Sequence, residues 1–106
     1  MRRSAKPAGN QLPMTALSTQ EIKNKLVSFP NWKHEENCII RELTFKNFSE
    51  NFAFMTRVAM IAETLNHHPN WSGGYKNLTI KLSTHDADGV SDKDFEFAGR
   101  IEKMLQ

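Results

Sequence analysis

Three of the chain's four histidines, His67, His68 and His85, fall in the stretch from Glu63 to Asp94, among carboxylates, amides and two aromatic residues, Trp71 and Tyr75. Three imidazoles in one short stretch allow two chemistries, metal binding and proton transfer. Adjacent histidines such as His67 and His68 point in different directions, and no H-x-x-x-H or H-x-x-E-H spacing is present, so the metal reading is weak. Service as caps and loop anchors explains any single histidine but not three together. Proton transfer fits better. Neutral imidazole accepts a proton and imidazolium donates one near neutral pH, which suits a reaction that moves protons both off and onto a substrate. Glu63 stands four residues before His67, so a helix that persists that far would set the carboxylate beside the imidazole and fix its tautomer. Trp71 and Tyr75 are candidates either for a flat wall against a planar ring or for core anchors. The residues alone therefore point to a cofactor-free acid-base enzyme acting on a small ring compound.

Elements that could position these groups are legible on both sides. Pro69 stops a helix that ends at the histidine pair, a polar loop from Asn66 to Gly74 turns the chain, and a strand carries it to His85. In that strand Leu78, Ile80 and Leu82 alternate with Asn77, Thr79, Lys81 and Ser83, the pattern of burial on one side. The helix runs from Asn47 or Ser49 to Leu65. Phe48, Phe52, Met55, Ala59 and Ala62 form one apolar stripe, and Phe54, Val58, Ile61 and Leu65 a second beside it. So wide an arc predicts burial against a sheet and also against another subunit. Upstream, Ser18-Thr19-Gln20-Glu21 caps a first helix carrying Ile22 and Leu26, which Pro30 ends. A hairpin follows, with Trp32 to Glu35 and Cys38 to Phe45 joined at Glu36-Asn37. Ile39, Leu43 and Phe45 share one parity, with Arg41 breaking the apolar face, and the hairpin's other side is polar. Gly89 closes another turn, and Ser91-Asp92-Lys93-Asp94 caps a last helix with Phe95, Ala98, Ile101 and Leu105 at helical spacing. The order helix, hairpin, helix, strand, helix predicts an α+β fold, with helices on one face of a small antiparallel sheet. His34, outside the dense stretch, reads as an ordinary surface residue.

Length and composition set the remaining bounds. A chain of 106 residues with 39% hydrophobic and 25% charged side chains is one ordinary globular domain. A formal net charge of +2 is too small to indicate direct nucleic-acid binding, and no apolar run approaches the ~20 residues that cross a bilayer. The single cysteine, Cys38, excludes an internal disulfide and any cysteine-rich metal site, and it begins an apolar run as a buried thiol would. Residues 1–17 read as an unstructured tail. Their Arg2, Arg3 and Lys6 without an acid match a transit peptide, but Pro7, Gly9 and Pro13 oppose an amphipathic helix, so a cytoplasmic location is expected.

Taken together, Glu63-x-x-x-His67-His68-Pro69, Trp71, Tyr75, Leu82-Ser83-Thr84-His85 and Asp94 resemble the signature of the pterin-4a-carbinolamine dehydratases. Phe52-x-Phe54-Met55-Thr56-Arg57-Val58-Ala59 is similar to that family's central helix, and the resemblance extends from about Ser18 to the C-terminus. Two departures are Asn66, where some members carry Asp, and Gly73-Gly74 in place of bulkier loop residues. The resemblance implies dehydration of 4a-hydroxytetrahydropterin (4a-hydroxytetrahydrobiopterin) to quinonoid dihydropterin, the recycling of tetrahydrobiopterin after aromatic amino-acid hydroxylation. Neither metal nor nucleotide is implied. It makes His67, His68 and His85 the catalytic set, with Glu63, Asn66, Pro69, Trp71, Thr84 and Asp94 binding substrate or supporting it. Within that set the expectation is that His68 and His85 carry protons while Glu63 positions His67 to bind the ring. A homodimer or homotetramer is implied too, as is a second role in some relatives as dimerisation cofactor for a homeodomain transcription factor. The contrasting reading is a non-catalytic dimeric binding module on the same fold.

Overall fold

The computed structural model describes residues 15–106. The first helix, α1 (Thr19–Leu26), opens with the capping box expected there: Ser18 Oγ accepts from the Glu21 N–H at 3.1 Å, and Glu21 Oε1 accepts from the Ser18 N–H at 2.8 Å. The helix stops at Leu26, short of Pro30. Tight turns then carry the backbone to Phe29, whose N–H donates to the Leu26 carbonyl, before the proline is reached. The hairpin of β1 (Trp32–Glu35) and β2 (Cys38–Thr44) turns through Glu36, which takes a left-handed φ of 53°. Helix α2 (Phe48–Leu65) is capped by Asn47, whose Oδ1 accepts from the Glu50 N–H at 2.9 Å. Strands β3 (Asn70–Gly73) and β4 (Asn77–Leu82), a short 3₁₀ turn at His85–Ala87 and helix α3 (Asp92–Met104) complete the chain.

The four strands form one antiparallel sheet in the order β1-β2-β4-β3. Strand β3 lies inside the stretch read from sequence as loop. Its Asn-Trp-Ser-Gly run has one apolar residue and no alternation to see, and its pairing comes from β4, with Trp71 opposite Ile80. Alternation puts Ile39, Leu43, Leu78, Ile80 and Leu82 on one face, where they pack against Ile22 of α1, Phe54, Val58 and Ala62 of α2, and Phe95, Ala98 and Ile101 of α3. All three helices thus cover one face of the sheet. The other presents Lys33, Glu42, Thr44 and Lys81 to solvent, with Ile40 buried between Lys33 and Lys81 in the register.

Arg41 shares the inner face with Ile39 because its charge is answered there. Glu102 of α3 accepts from Arg41 Nε and from Trp32 Nε1, each at 2.8 Å, which ties α3 to the hairpin. On α2 the Phe54–Val58 stripe enters the core and is joined there by Met55 and Ala62 of the other stripe, whereas Phe48 and Phe52 of that stripe lie open with their rings 5.9 Å apart. Asn51, fully buried, donates to the carbonyls of Gly74 and Asn77 and pins the β3–β4 turn to the helix.

Leu17, inside the tail expected over residues 1–17, packs against the core, and its N–H donates to the Val90 carbonyl at 2.8 Å. The rest of the tail expected over residues 1–17 lies, for residues 1–14, outside the described residues. Among the described residues no helix is long and apolar enough to cross a membrane.

Candidate active site

The site begins where α2 ends. Asn66 adopts the left-handed conformation (φ 50°, ψ 47°), its N–H donates to the Glu63 carbonyl at 3.2 Å, and the His67 N–H donates to the Ala62 carbonyl at 2.9 Å. This is a Schellman closure, with asparagine in the position that glycine usually holds. The left-handed step sends the two histidines apart. His67 turns inward, 8% exposed, while His68 stays at the surface.

That divergence overturns the expected pairing of Glu63 with His67. A carboxylate four residues back faces a side chain only while the helix continues, and here the helix closes at Asn66. Glu63 Oε2 instead meets His68 Nε2 at 2.8 Å, both side chains being largely exposed. His67 Nε2 meets Asp94 Oδ1 at 2.5 Å, with Asp94 entirely buried. Asp94 Oδ2 accepts from Thr84 Oγ1 and from the Ser91 N–H, each at 2.9 Å, and Thr84 Oγ1 lies 2.5 Å from Ser91 Oγ. Asp94 therefore serves twice: it closes the capping box of α3, and it holds the buried histidine. The His67 ring also meets Phe97 edge-on, with centroids 6.2 Å apart.

His85 was expected at the end of a strand. Strand β4 stops at Leu82, Thr84 makes a bridge to Gly89, and His85 opens the 3₁₀ turn that this bridge closes. The consequence for the site is small, because His85 still faces the space beside the histidine pair. Asn66, His67, His68, Ser83, Thr84, His85, Asp86 and Lys93 line one cavity of about 330 Å³, near the lower end of sizes for small-molecule sites.

The three histidines, Asn66 and Thr84 thus come together, with Asp94 beneath them and Glu63 behind His68. Pro69 and Trp71 are half-buried, and Trp71 packs against the core; neither lines the cavity. Tyr75 is 67% exposed, with the Lys76 ammonium 5.5 Å from its ring centroid. The flat aromatic wall is therefore absent from the lining, which is polar apart from the imidazole faces. His34 is half-buried in β1 and outside the cavity. Asp86 and Lys93 escaped the sequence reading, and Ser91 was legible only as a helix cap. Among the described residues no three His, Cys, Asp or Glu side chains gather in a way that could hold a metal ion.

The family model for pterin 4 alpha carbinolamine dehydratase matches residues 15–104, nearly the whole described chain. The chain belongs to this family. Similar proteins, each provisionally named a pterin-4-alpha-carbinolamine dehydratase, include one from Christiangramia forsetii, 46% identical over 93 residues, which span 88% of this chain and 96% of the relative. Another, from Synechococcus sp., is 45% identical over 92 residues, 86% of this chain and 99% of the relative. A crystal structure from Brucella melitensis, described as a transcriptional coactivator/pterin dehydratase, superposes with a TM-score of 0.83 at 31% identity and covers 87% of this chain and all of that one. A pterin dehydratase-like protein described as a RuBisCO assembly factor in the alpha-carboxysome shares the fold alone, with a TM-score of 0.57 at 19% identity over 69% of this chain and 84% of that one. Membership of the pterin dehydratase family supports a dehydratase role.

Proposed function

We propose that the chain dehydrates a 4a-hydroxytetrahydropterin, such as 4a-hydroxytetrahydrobiopterin, to quinonoid dihydropterin. The observation that carries this is a single cavity in which three imidazoles converge, one backed by a buried carboxylate. The reaction breaks the C4a–O bond, and the hydroxyl leaves as water with a proton delivered from an acid. A base takes the proton of the adjacent ring nitrogen, and its electron pair forms the new C=N bond. No electrons are gained or lost.

The observed pairing changes the roles expected from sequence. His67, with Nε2 on Asp94, has the arrangement of an oriented base whose developing charge faces a fixed carboxylate. His68 and His85 stand exposed on two walls of the cavity, placed to deliver a proton to the leaving hydroxyl and to exchange it with water. Glu63 orients His68 rather than His67. The reading extends to tetrahydrobiopterin recycling in the cytoplasm and to a homodimer or homotetramer, the latter supported by the open Phe48 and Phe52 face. That face also favours a second reading, a partner-binding role on the same fold. An assay of carbinolamine dehydration decides between them: acceleration over the spontaneous reaction by the pure protein is expected, and its absence removes the enzyme.

A further inference from the structure

The hydrogen bonds beneath His67 can be ordered in one direction only. A backbone N–H can only donate, so the Ser91 N–H gives its proton to Asp94 Oδ2. Thr84 has one hydroxyl proton, and its Oγ1 bond to Asp94 Oδ2 uses it, because a carboxylate only accepts. The 2.5 Å contact between Thr84 Oγ1 and Ser91 Oγ must then be donated by Ser91. Ser91 Oγ in turn accepts from the Lys93 N–H at 3.3 Å, in the first turn of α3. Each proton in this chain is assigned from the helix amide to the carboxylate. Asp94 Oδ1 has none to give, so His67 Nε2 donates to it, and any bond His67 makes toward the cavity comes from Nδ1 as acceptor.

We propose that Ser91 and Thr84 are positioning residues: by holding Oδ2 they fix the rotation of the Asp94 carboxylate so that Oδ1 stays on His67 Nε2, and without them the carboxylate turns away and the imidazole loses the acceptor that keeps it in its Nε2–H tautomer. This inference rests on the proposed dehydratase reading for its kinetic consequence, but not for its structural one. Ser91 joins two functions that the sequence shows as one: the residue that starts α3 also starts the hydroxyl chain. The contribution is orientation alone, since neither hydroxyl lies nearer to His67 than the carboxylate between them.

Nitrogen-15 NMR of the histidine rings tests the tautomer in the ligand-free protein. In the wild type His67 is expected to be protonated at Nε2. Thr84→Val and Ser91→Ala are expected to convert it to a mixture of tautomers and to lower kcat by about 10- to 10²-fold, part of what a general base supplies, with KM little changed. Thr84→Ser and Ser91→Thr, which keep the hydroxyls, restore both readouts. Ser91→Ala also removes a helix cap, but Thr84→Val does not. The Thr84 backbone is held independently by its two bonds with Gly89, so that variant stays interpretable. A wild-type His67 protonated at Nδ1 alone overturns the proposal, as does an unchanged Nε2–H tautomer in both hydroxyl deletions. Tautomer mixing in a protein whose wild type does not accelerate dehydration would support the positioning role while removing the reaction.

Discussion

Asp94→Asn changes one atom in the most buried part of the site, and the surrounding donors dictate how the new amide must sit. The Ser91 N–H cannot reorient, so the amide oxygen has to take the Oδ2 position, where it also accepts from Thr84. The NH₂ group is then forced toward His67 Nε2, which must accept, and the imidazole proton moves to Nδ1. The cavity-facing nitrogen loses its lone pair. If His67 is the base, kcat should fall by the ~10²–10⁴-fold that a general base provides. Stability should suffer less. Three hydrogen bonds to a charged acceptor become neutral ones at roughly 1 kcal/mol each, partly offset because a charge no longer has to be buried, for a net loss of about 1–3 kcal/mol. That leaves a domain of ordinary stability, about 5–15 kcal/mol, folded. Asp94→Ala, by contrast, strands three donors around a buried cavity at about 1–3 kcal/mol each and should unfold far more readily. Turnover of enzymatically generated carbinolamine, with urea denaturation of the same samples, separates the two effects. A folded Asp94→Asn protein with turnover within twofold of wild type would refute the assignment of His67 as an Asp94-oriented base.

Among the other histidines, His68→Ala or His85→Ala should lower turnover by about 10²–10⁴-fold without unfolding, because both side chains are exposed, and Glu63→Gln should be milder; normal turnover in the folded double mutant would move the proton donors elsewhere. Exhaustive chelation should leave activity intact, and loss with EDTA that zinc restores would reinstate a metal. Phe48 and Phe52, more than half exposed, should mediate self-association, so light scattering should find an oligomer that Phe52→Asp weakens; a wild-type monomer at micromolar concentration would contradict this. Hydrogen bonds from the Ser18 backbone and hydroxyl hold the Glu21 carboxyl below its ordinary value of 4.5. Its folded-state value being depressed, the stabilisation it gives is present above the unfolded-state value and is lost as pH falls through the lowered one. Acid unfolding of Glu21→Gln should therefore lack that part of the pH dependence, and an unaltered acid limb would count against it.

Sequence by itself determined the elements whose causes are local. Ser18 with Glu21 and Ser91 with Asp94 start helices because a hydroxyl and a carboxylate three residues apart satisfy free amides at close range, and both boxes form as expected. Alternation from Asn77 to Leu82 and the helical period from Phe48 to Leu65 depend only on where apolar side chains recur. The histidine cluster was visible through its density, and its family through the joint motif. Tertiary structure alone decided what joins across distance. Strand β3 exists because β4 lies beside it, and on α2 the core takes Met55 and Ala62 with the Phe54–Val58 stripe and leaves Phe48 and Phe52 open. The exchange of partners between His67 and His68 turns on one left-handed residue, Asn66, whose conformation the i to i+4 rule does not contain. Asp94 reaches His67 across 27 positions of chain because the start of α3 folds back under the end of α2. In that packed setting Ser91, a helix cap by every local rule, also becomes part of the site, since a buried carboxylate needs every neighbouring donor and Ser91 is one of them.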